Sequence, residues 1–130
     1  MTTELTYLVY VSVLTALLWV PYILNLIIVR GPAEAVGYPE HPKPIASWAS
    51  RLKAAHYNAV ENLVVFAALI LVAHAAGISR ESTQMCAIVH FWARVVHAVA
   101  YAFAIPVVRT LAFVVGWGAQ LCIAWAILAS

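Results

Sequence analysis

VVRTLAFVVGWGAQLCIAWAIL, residues 107–128, is a continuous apolar run of 22 residues in which Arg109 is the one charged side chain. A helix of about 20 largely apolar residues is long enough to cross the hydrocarbon core of a bilayer. Three runs of the same kind precede it, at about 5–29, 49–76 and 84–104. The sequence therefore predicts an all-α fold, an integral membrane four-helix bundle that forms a single domain over residues 1–130.

The composition independently indicates a membrane protein. The chain is 65% hydrophobic and 9% charged, whereas soluble domains contain roughly 45–50% apolar and about 25% charged residues. Too little polar surface is present for a soluble enzyme, a disordered chain or a coiled coil. The apolar residues form continuous runs, which argues against a transmembrane barrel. Glu4 stands where a signal peptide would be basic, and no basic patch suggests a nucleic-acid partner.

Positive charges are concentrated in two of the three predicted connections. The side of the membrane opposite to these two connections carries only one such charge, that of Arg80. The first connection with its flanks and the third turn together carry Arg30, Lys43, Arg51, Lys53 and Arg109. Because cytoplasmic loops are enriched in Lys and Arg, we expect these two connections in the cytoplasm and both termini on the non-cytoplasmic side. The short loops favour a bacterial inner membrane.

Two cysteines, Cys86 and Cys122, lie inside predicted spans. Neither belongs to a Cys-x-x-Cys or Cys/His pattern of the kind that binds metal, so the sequence predicts no metal site. Buried cysteines of this kind act as small hydrophobic residues, and we expect both to be free and unreactive. The segment 30–47 is expected to be a surface connection, since its prolines forbid a continuous helix.

Polar residues inside the predicted spans form three stripes. An ionisable side chain at the bilayer centre costs at least ~2.5–3.5 kcal/mol and therefore faces a bundle interior or a wet cavity. At about 100° per residue, each stripe falls on one side of its helix. The second span contributes Arg51, Asn58, Glu61 and Asn62, the third His90, Arg94, His97 and Tyr101, and the fourth Arg109, Phe113, Gly116 and Gln120. Three stripes on three helices predict one shared site.

The rise of the helix places these side chains at matching depths. Glu61 and Arg94 are each about ten residues, or ~15 Å, from the predicted cytoplasmic end of their helices, and we expect them to form a buried ion pair. At the predicted cytoplasmic mouth of the bundle, the third-span stripe ends with the hydroxyl of Tyr101 and the fourth-span stripe begins with the guanidinium of Arg109. These two groups suit an anionic ligand. Interhelical hydrogen bonding is the alternative role, favoured for Asn62 and Gln120 and open for the Glu61–Arg94 pair.

The second-span stripe resembles a known family signature. Residues 51–66 read RLKAAHYNAVENLVVF, and the signature of the MAPEG family (membrane-associated proteins in eicosanoid and glutathione metabolism) reads approximately E-R-x-x-R-A-x-x-N-x-x-E-N-x-P-x-F. The positions that match in register are Arg51, Ala55, Asn58, Glu61, Asn62 and Phe66. The segments ARVVHAVAY, residues 93–101, and PVVRT, from Pro106, are similar to the family's third and fourth helices. The resemblance covers nearly the whole chain and suggests a bacterial member.

The resemblance implies a homotrimer that binds glutathione between neighbouring subunits, with Asn58 and Glu61 of one facing Arg94 and Arg109 of the next. It implies a glutathione-dependent transferase or peroxidase that acts on lipophilic electrophiles entering from the membrane lipids. Arg109 occupies the position that stabilises the glutathione thiolate, so the implied catalytic residue is Arg109. The residues implied to hold glutathione are Arg51, Asn58, Glu61, Arg94, His97, Tyr101 and Thr110.

Four positions depart from the family pattern. Ser50, Ala54 and Val64 replace the Glu, Arg and Pro of the signature, and Phe113 stands where some members have Tyr. The missing Arg at Ala54 removes one anchor for a ligand with two carboxylates. It keeps open a second role, that of a non-catalytic protein which binds lipid or a membrane partner in the same groove.

A membrane cytochrome is a further alternative, because His56 and His97 lie at similar depth and could ligate a haem. His56, however, points about 140° away from the second-span stripe. A small multidrug transporter is not expected, since it needs a carboxylate in the first span and residues 6–29 contain none.

Overall fold

The protein is all-helical in a computed structural model that describes all 130 residues. The helices are α1 (Thr3–Leu17), α2 (Trp19–Arg30), α3 (Pro32–Val36), α4 (Ser47–Ala75), α5 (Glu81–Ala102) and α6 (Pro106–Leu128). Four segments are long and apolar enough to cross a membrane: α1 and α2 together, α4, α5 and α6. The predicted all-α membrane bundle of four long helices is confirmed.

The first span is not one continuous helix, because α1 ends at Leu17 and α2 begins at Trp19. Pro21 lies just inside α2. Since proline has no N–H, it cannot donate to the carbonyl of Leu17 one turn earlier, and its ring crowds that carbonyl. The interruption therefore follows from Pro21, and hydropathy alone, which sees only an unbroken apolar run, did not reveal it.

Helices α5 and α6 make the most extensive contact in the bundle, as an antiparallel hairpin. They are joined by a tight turn in which Ala104 has a φ of 57°, and Pro106 begins α6. Helix α4 packs against α1, α2, α5 and α6, and α1 also packs against α5. The main apolar core joins all four spans through Val11, Phe66, Ile70, Ala87 and Ile123.

A disulfide joins Cys86 of α5 to Cys122 of α6. The expectation that both cysteines are free was wrong. The antiparallel pairing of α5 and α6 brings the two Cα atoms to 6.6 Å, within the range that a disulfide can bridge. Sequence spacing did not reveal the pairing, because it does not show which faces of two distant helices meet.

The connection between α2 and α4 is attached to α2 at two points. The Arg30 Nε–H donates to the carbonyl of Lys43 at 2.8 Å, and the Ala46 N–H donates to Asn25 Oδ1 at 2.9 Å. Together with the α5–α6 turn, this connection lies at one end of the bundle, which we call the turn end. The polar stripes open toward this end.

Candidate functional site

A cavity of about 200 Å³ lies at the turn end, where α5 passes into α6. Arg51, Tyr101 and Arg109 contribute its polar lining. The guanidinium carbon of Arg109 lies 4.6 Å from the centre of the Tyr101 ring, and Arg51 Nε–H donates to the carbonyl of Ala102 at 3.1 Å. Two guanidinium groups and no carboxylate line this cavity, so it suits an anionic ligand.

Arg94 lies deeper in the bundle and is only 3% exposed. Its Nη2 donates to Asn58 Oδ1 at 2.6 Å and lies 3.4 Å from His97 Nδ1. The His97 ring meets the edge of Tyr101 with 5.6 Å between the ring centres. Contacts therefore run without a gap from Arg94 through His97 and Tyr101 to Arg109 at the mouth.

The expected ion pair between Glu61 and Arg94 is not formed. Arg94 bonds instead to Asn58 of its own chain, whereas Glu61 is exposed on the outside of α4. Glu61 follows Asn58 by three residues, about 60° short of a full turn, and shares the outer face with the exposed Tyr57 and Val64. Equal depth is therefore not sufficient for an ion pair, since the two side chains also have to face each other.

The Asn58–Arg94 bond brings two of the expected glutathione ligands together within one chain. The arrangement of the site between neighbouring subunits, which the resemblance implies, stays a prediction. Of the expected ligands, Glu61 and Thr110 are the two that are exposed.

Asn62 and Gln120 connect the site to the packing of the bundle. The Asn62 side-chain amide donates to the Asn58 carbonyl at 2.8 Å and to Asn58 Oδ1 at 3.2 Å. Gln120 Nε2 donates to the carbonyl of Asn62 at 3.2 Å, which links α6 to α4. The expected interhelical role therefore holds for the Gln120 side chain, whereas the Asn62 side chain bonds within its own helix.

Thr110, an implied glutathione ligand, and His90, a member of the third-span stripe, lie outside the cavity. Thr110 is exposed and its hydroxyl donates to the carbonyl of Pro106 at 3.4 Å, so it does not line the cavity. His90 is buried far from the mouth, where its ring stacks on Phe66 with 4.0 Å between ring centres. Its Nδ1 lies 3.2 Å from the carbonyl of Gly116, and a carbonyl can only accept, so this nitrogen donates.

The two histidines considered as haem ligands have separate partners. His56 Nδ1 is 2.7 Å from the hydroxyl of Tyr22 on α2, whereas His97 faces Arg94. No group of three His, Cys, Asp or Glu residues could hold a metal ion.

Phe113 lies beside the candidate site, with 6.2 Å between its ring centre and that of His97.

An apolar groove of about 420 Å³ runs along the outside of α5 and α6. Ala93 and Ala112 form its floor with small side chains, and larger residues such as Trp92, Val96 and Leu111 form its walls. Sequence reasoning did not single out this groove, because lipid-facing Val, Leu and Ala residues look alike in every span. The polar cavity and the apolar groove thus lie on the same helix hairpin.

Comparison with known proteins bears on the same residues. No curated protein and no solved structure matches the chain. The family model described as MAPEG family matches residues 8–129, which include every helix that lines the cavity. The chain therefore belongs to the MAPEG family, whose members are membrane proteins of eicosanoid and glutathione metabolism.

Proposed function

We propose that this protein is a glutathione-dependent transferase or peroxidase that acts on lipophilic electrophiles. The observation that carries the proposal is the cavity at the turn end, where Arg109 lies over the Tyr101 ring at 4.6 Å and Arg51 shares the lining. Membership of the MAPEG family also supports the proposal, because its members act in glutathione and eicosanoid metabolism.

The chemistry follows from the charges in the site. The thiolate form of glutathione is the nucleophile, and a guanidinium beside it favours that form because arginine keeps its proton. We assign this role to Arg109. The other expected ligands, Arg51, Asn58, Arg94, His97 and Tyr101, would hold the tripeptide and its carboxylates. With an aryl chloride, the sulfur–carbon bond forms, the carbon–chlorine bond breaks and chloride leaves with the electron pair.

The site is better suited to an assembly than to one chain. Its volume of about 200 Å³ is below the roughly 300–1,000 Å³ that is usual for small-molecule sites. Glu61 is exposed inside a membrane span, where an uncovered carboxylate is costly. We therefore include in the proposal a homotrimer in which Glu61 of one subunit faces the cavity of the next, and in which Thr110 reaches glutathione only through such a neighbour.

The proposal also includes an orientation in the membrane. The cationic connections Arg30–Lys43 and the α5–α6 turn lie in the cytoplasm, so the cavity opens toward cytoplasmic glutathione. Both termini lie on the opposite side, and the membrane is the inner membrane of a bacterium. The apolar groove on α5 and α6 gives lipophilic substrates a route from the membrane lipids.

The direct test measures conjugation of glutathione to a chlorinated nitroaromatic by wild type and by Arg109→Ala. We expect the variant to lose roughly 10²-fold in rate, as when one group that stabilises a reacting anion is removed. Arg80→Ala is the matched control, because Arg80 is an exposed arginine at the other end of the bundle. Equal rates in wild type and Arg109→Ala would remove Arg109 from the proposed role.

A second candidate function is a non-catalytic protein that binds lipid or a membrane partner in the same groove. Two observations favour it: Ala54 provides no cation, and Phe113, 6.2 Å from His97 between ring centres, has no hydroxyl. Calorimetry with glutathione separates the candidates. Absence of glutathione binding by the purified wild type would support this second function over the first.

A further inference from the structure

The orientation of Arg94 depends on a single strong contact. Its side chain is buried, it has no carboxylate partner, and its Nε has no hydrogen-bond partner. The shortest contact joins Nη2 to Asn58 Oδ1 at 2.6 Å. Because a guanidinium has only donors, the atom of Asn58 that faces it has to be the amide oxygen. Any change that turns the amide nitrogen of Asn58 toward Arg94 would place two donors face to face.

Asn62 selects the amide orientation of Asn58 that Arg94 requires. Its own orientation is determined, because its side chain meets the main-chain carbonyl of Asn58 at 2.8 Å and a carbonyl can only accept. The Asn62 nitrogen is thus the atom that also donates to Asn58 Oδ1 at 3.2 Å. Two donors, one from Asn62 and one from Arg94, converge on the same amide oxygen.

The position of Asn62 is in turn supported by the neighbouring helix. Gln120 is buried in α6 and donates to the main-chain carbonyl of Asn62 at 3.2 Å. The order of contacts is therefore Gln120, Asn62, Asn58, Arg94, and it crosses from α6 through α4 to α5. Neither Asn62 nor Gln120 lines the cavity at the turn end.

We infer that Asn62 is a positioning residue for Arg94: it holds the Asn58 amide oxygen toward the buried guanidinium and so prepares the binding of glutathione. The inference rests on the proposed function, since it assigns Arg94 to the glutathione site. Asn62 acts on the binding of glutathione, whereas Arg109 acts on the reacting sulfur. Its loss should weaken the affinity for glutathione and leave the turnover of bound glutathione unchanged.

The test compares Asn62→Ser with wild type in the full-length protein. A serine at this position can still donate to the carbonyl one turn earlier, but it is too short to reach Asn58 Oδ1. We expect the KM for glutathione to rise about tenfold, kcat to stay within twofold, and the thermal unfolding temperature to remain unchanged. The thiolate absorbance at saturating glutathione should equal that of wild type, which a general distortion of the site would not preserve.

Asn25→Ser is the matched control. Asn25 also bonds to the main chain through its side-chain amide, whose oxygen accepts from the Ala46 N–H at 2.9 Å, but it lies on α2 and away from Arg94, so the KM of this variant for glutathione should equal that of wild type. If Asn62→Ser does not accumulate, Asn62→Gln, whose amide is one methylene longer, tests the same contact and should also raise KM. A wild-type KM in the Asn62 variants overturns the inference alone, whereas a wild type that does not bind glutathione overturns the proposed function.

Discussion

Glu4 is a buried carboxylate at the end of the bundle opposite the candidate site. Its side chain is 3% exposed and has no cationic partner. It accepts hydrogen bonds from the hydroxyls of Thr83 and Ser79, and Thr83 lies in the first turn of α5. Because helix N-termini attract negative charge, Glu4 is stabilised by the first turn of its own helix and by that of α5. These hydrogen bonds of Glu4 therefore connect α1 to the start of α5.

This contact predicts a loss of stability on substitution. Glu4→Ala leaves the hydroxyl of Ser79 without its acceptor and removes the bond between α1 and Thr83, which retains the carbonyl of Arg80, and we expect the free energy of unfolding to fall by about 1–3 kcal/mol. Glu34→Ala is the control, because Glu34 is exposed on α3, and its effect should stay within about 0.5 kcal/mol. Unfolding of the detergent-solubilised protein, followed by circular dichroism, measures both. Equal effects in the two variants would contradict the assigned role of Glu4.

The α5–α6 hairpin is closed at both ends, by the turn at Ala104 and by the disulfide between Cys86 and Cys122. The bonded cysteines are 36 residues apart in sequence. A cross-link over a loop of this size restricts the unfolded chain and typically contributes about 2–4 kcal/mol. The hairpin that carries Tyr101 and Arg109 is thus held together by a covalent bond at the end remote from the site.

The pairing predicts the number of reactive thiols. Alkylation of the unfolded protein, followed by mass spectrometry, should label no cysteine without a reductant and two after reduction. Replacing both cysteines with Ala should lower the free energy of unfolding by about 2–4 kcal/mol, whereas reduction of this variant should change nothing. Labelling of both cysteines in the unreduced protein would show that the disulfide is absent.

Helical periodicity predicts which residues share a face, and that is how far the site could be predicted. Arg94, His97 and Tyr101 lie at spacings of three and four, and the structure places them in continuous contact. Periodicity does not show which face of one helix meets which face of another. For that reason we expected Arg94 to pair with Glu61, which lies at equal depth, although Asn58 is its partner. The same limit explains why we expected Cys86 and Cys122 to be free, although they form a disulfide.

Much of the apolar surface of a single chain remains exposed. Only 25 of the 130 residues are buried. In a membrane protein, lipid or other subunits can cover the apolar side chains that a soluble protein would bury in its own core. Hydropathy could therefore predict the four spans, whereas it could not predict the division of their outer faces between lipid and protein. The exposed Glu61 supports the proposed trimer, in which another subunit would cover this outer face, since lipid does not solvate a carboxylate.

If the site is shared between subunits, two inactive variants should restore activity when they assemble together. In the proposed trimer, Glu61 of one subunit serves the Arg109 of its neighbour, so Glu61→Gln and Arg109→Ala should each lose most of the conjugation activity. When the two variants are co-expressed in equal amounts, random cyclic assembly gives about a quarter of the sites both intact residues. The expected rate is therefore about a quarter of the wild-type rate.

The control mixes the variants after each has been purified as an assembled protein, which leaves no intact site and should give no recovery. A native mass of three chains in the co-expressed sample would support the trimer independently of activity. If Glu61 instead served the Arg109 of its own chain, no mixed assembly could contain an intact site. Co-expression without recovery, in assemblies shown to contain both variants, would thus place Glu61 and Arg109 in the same subunit's site and remove the argument for a shared one.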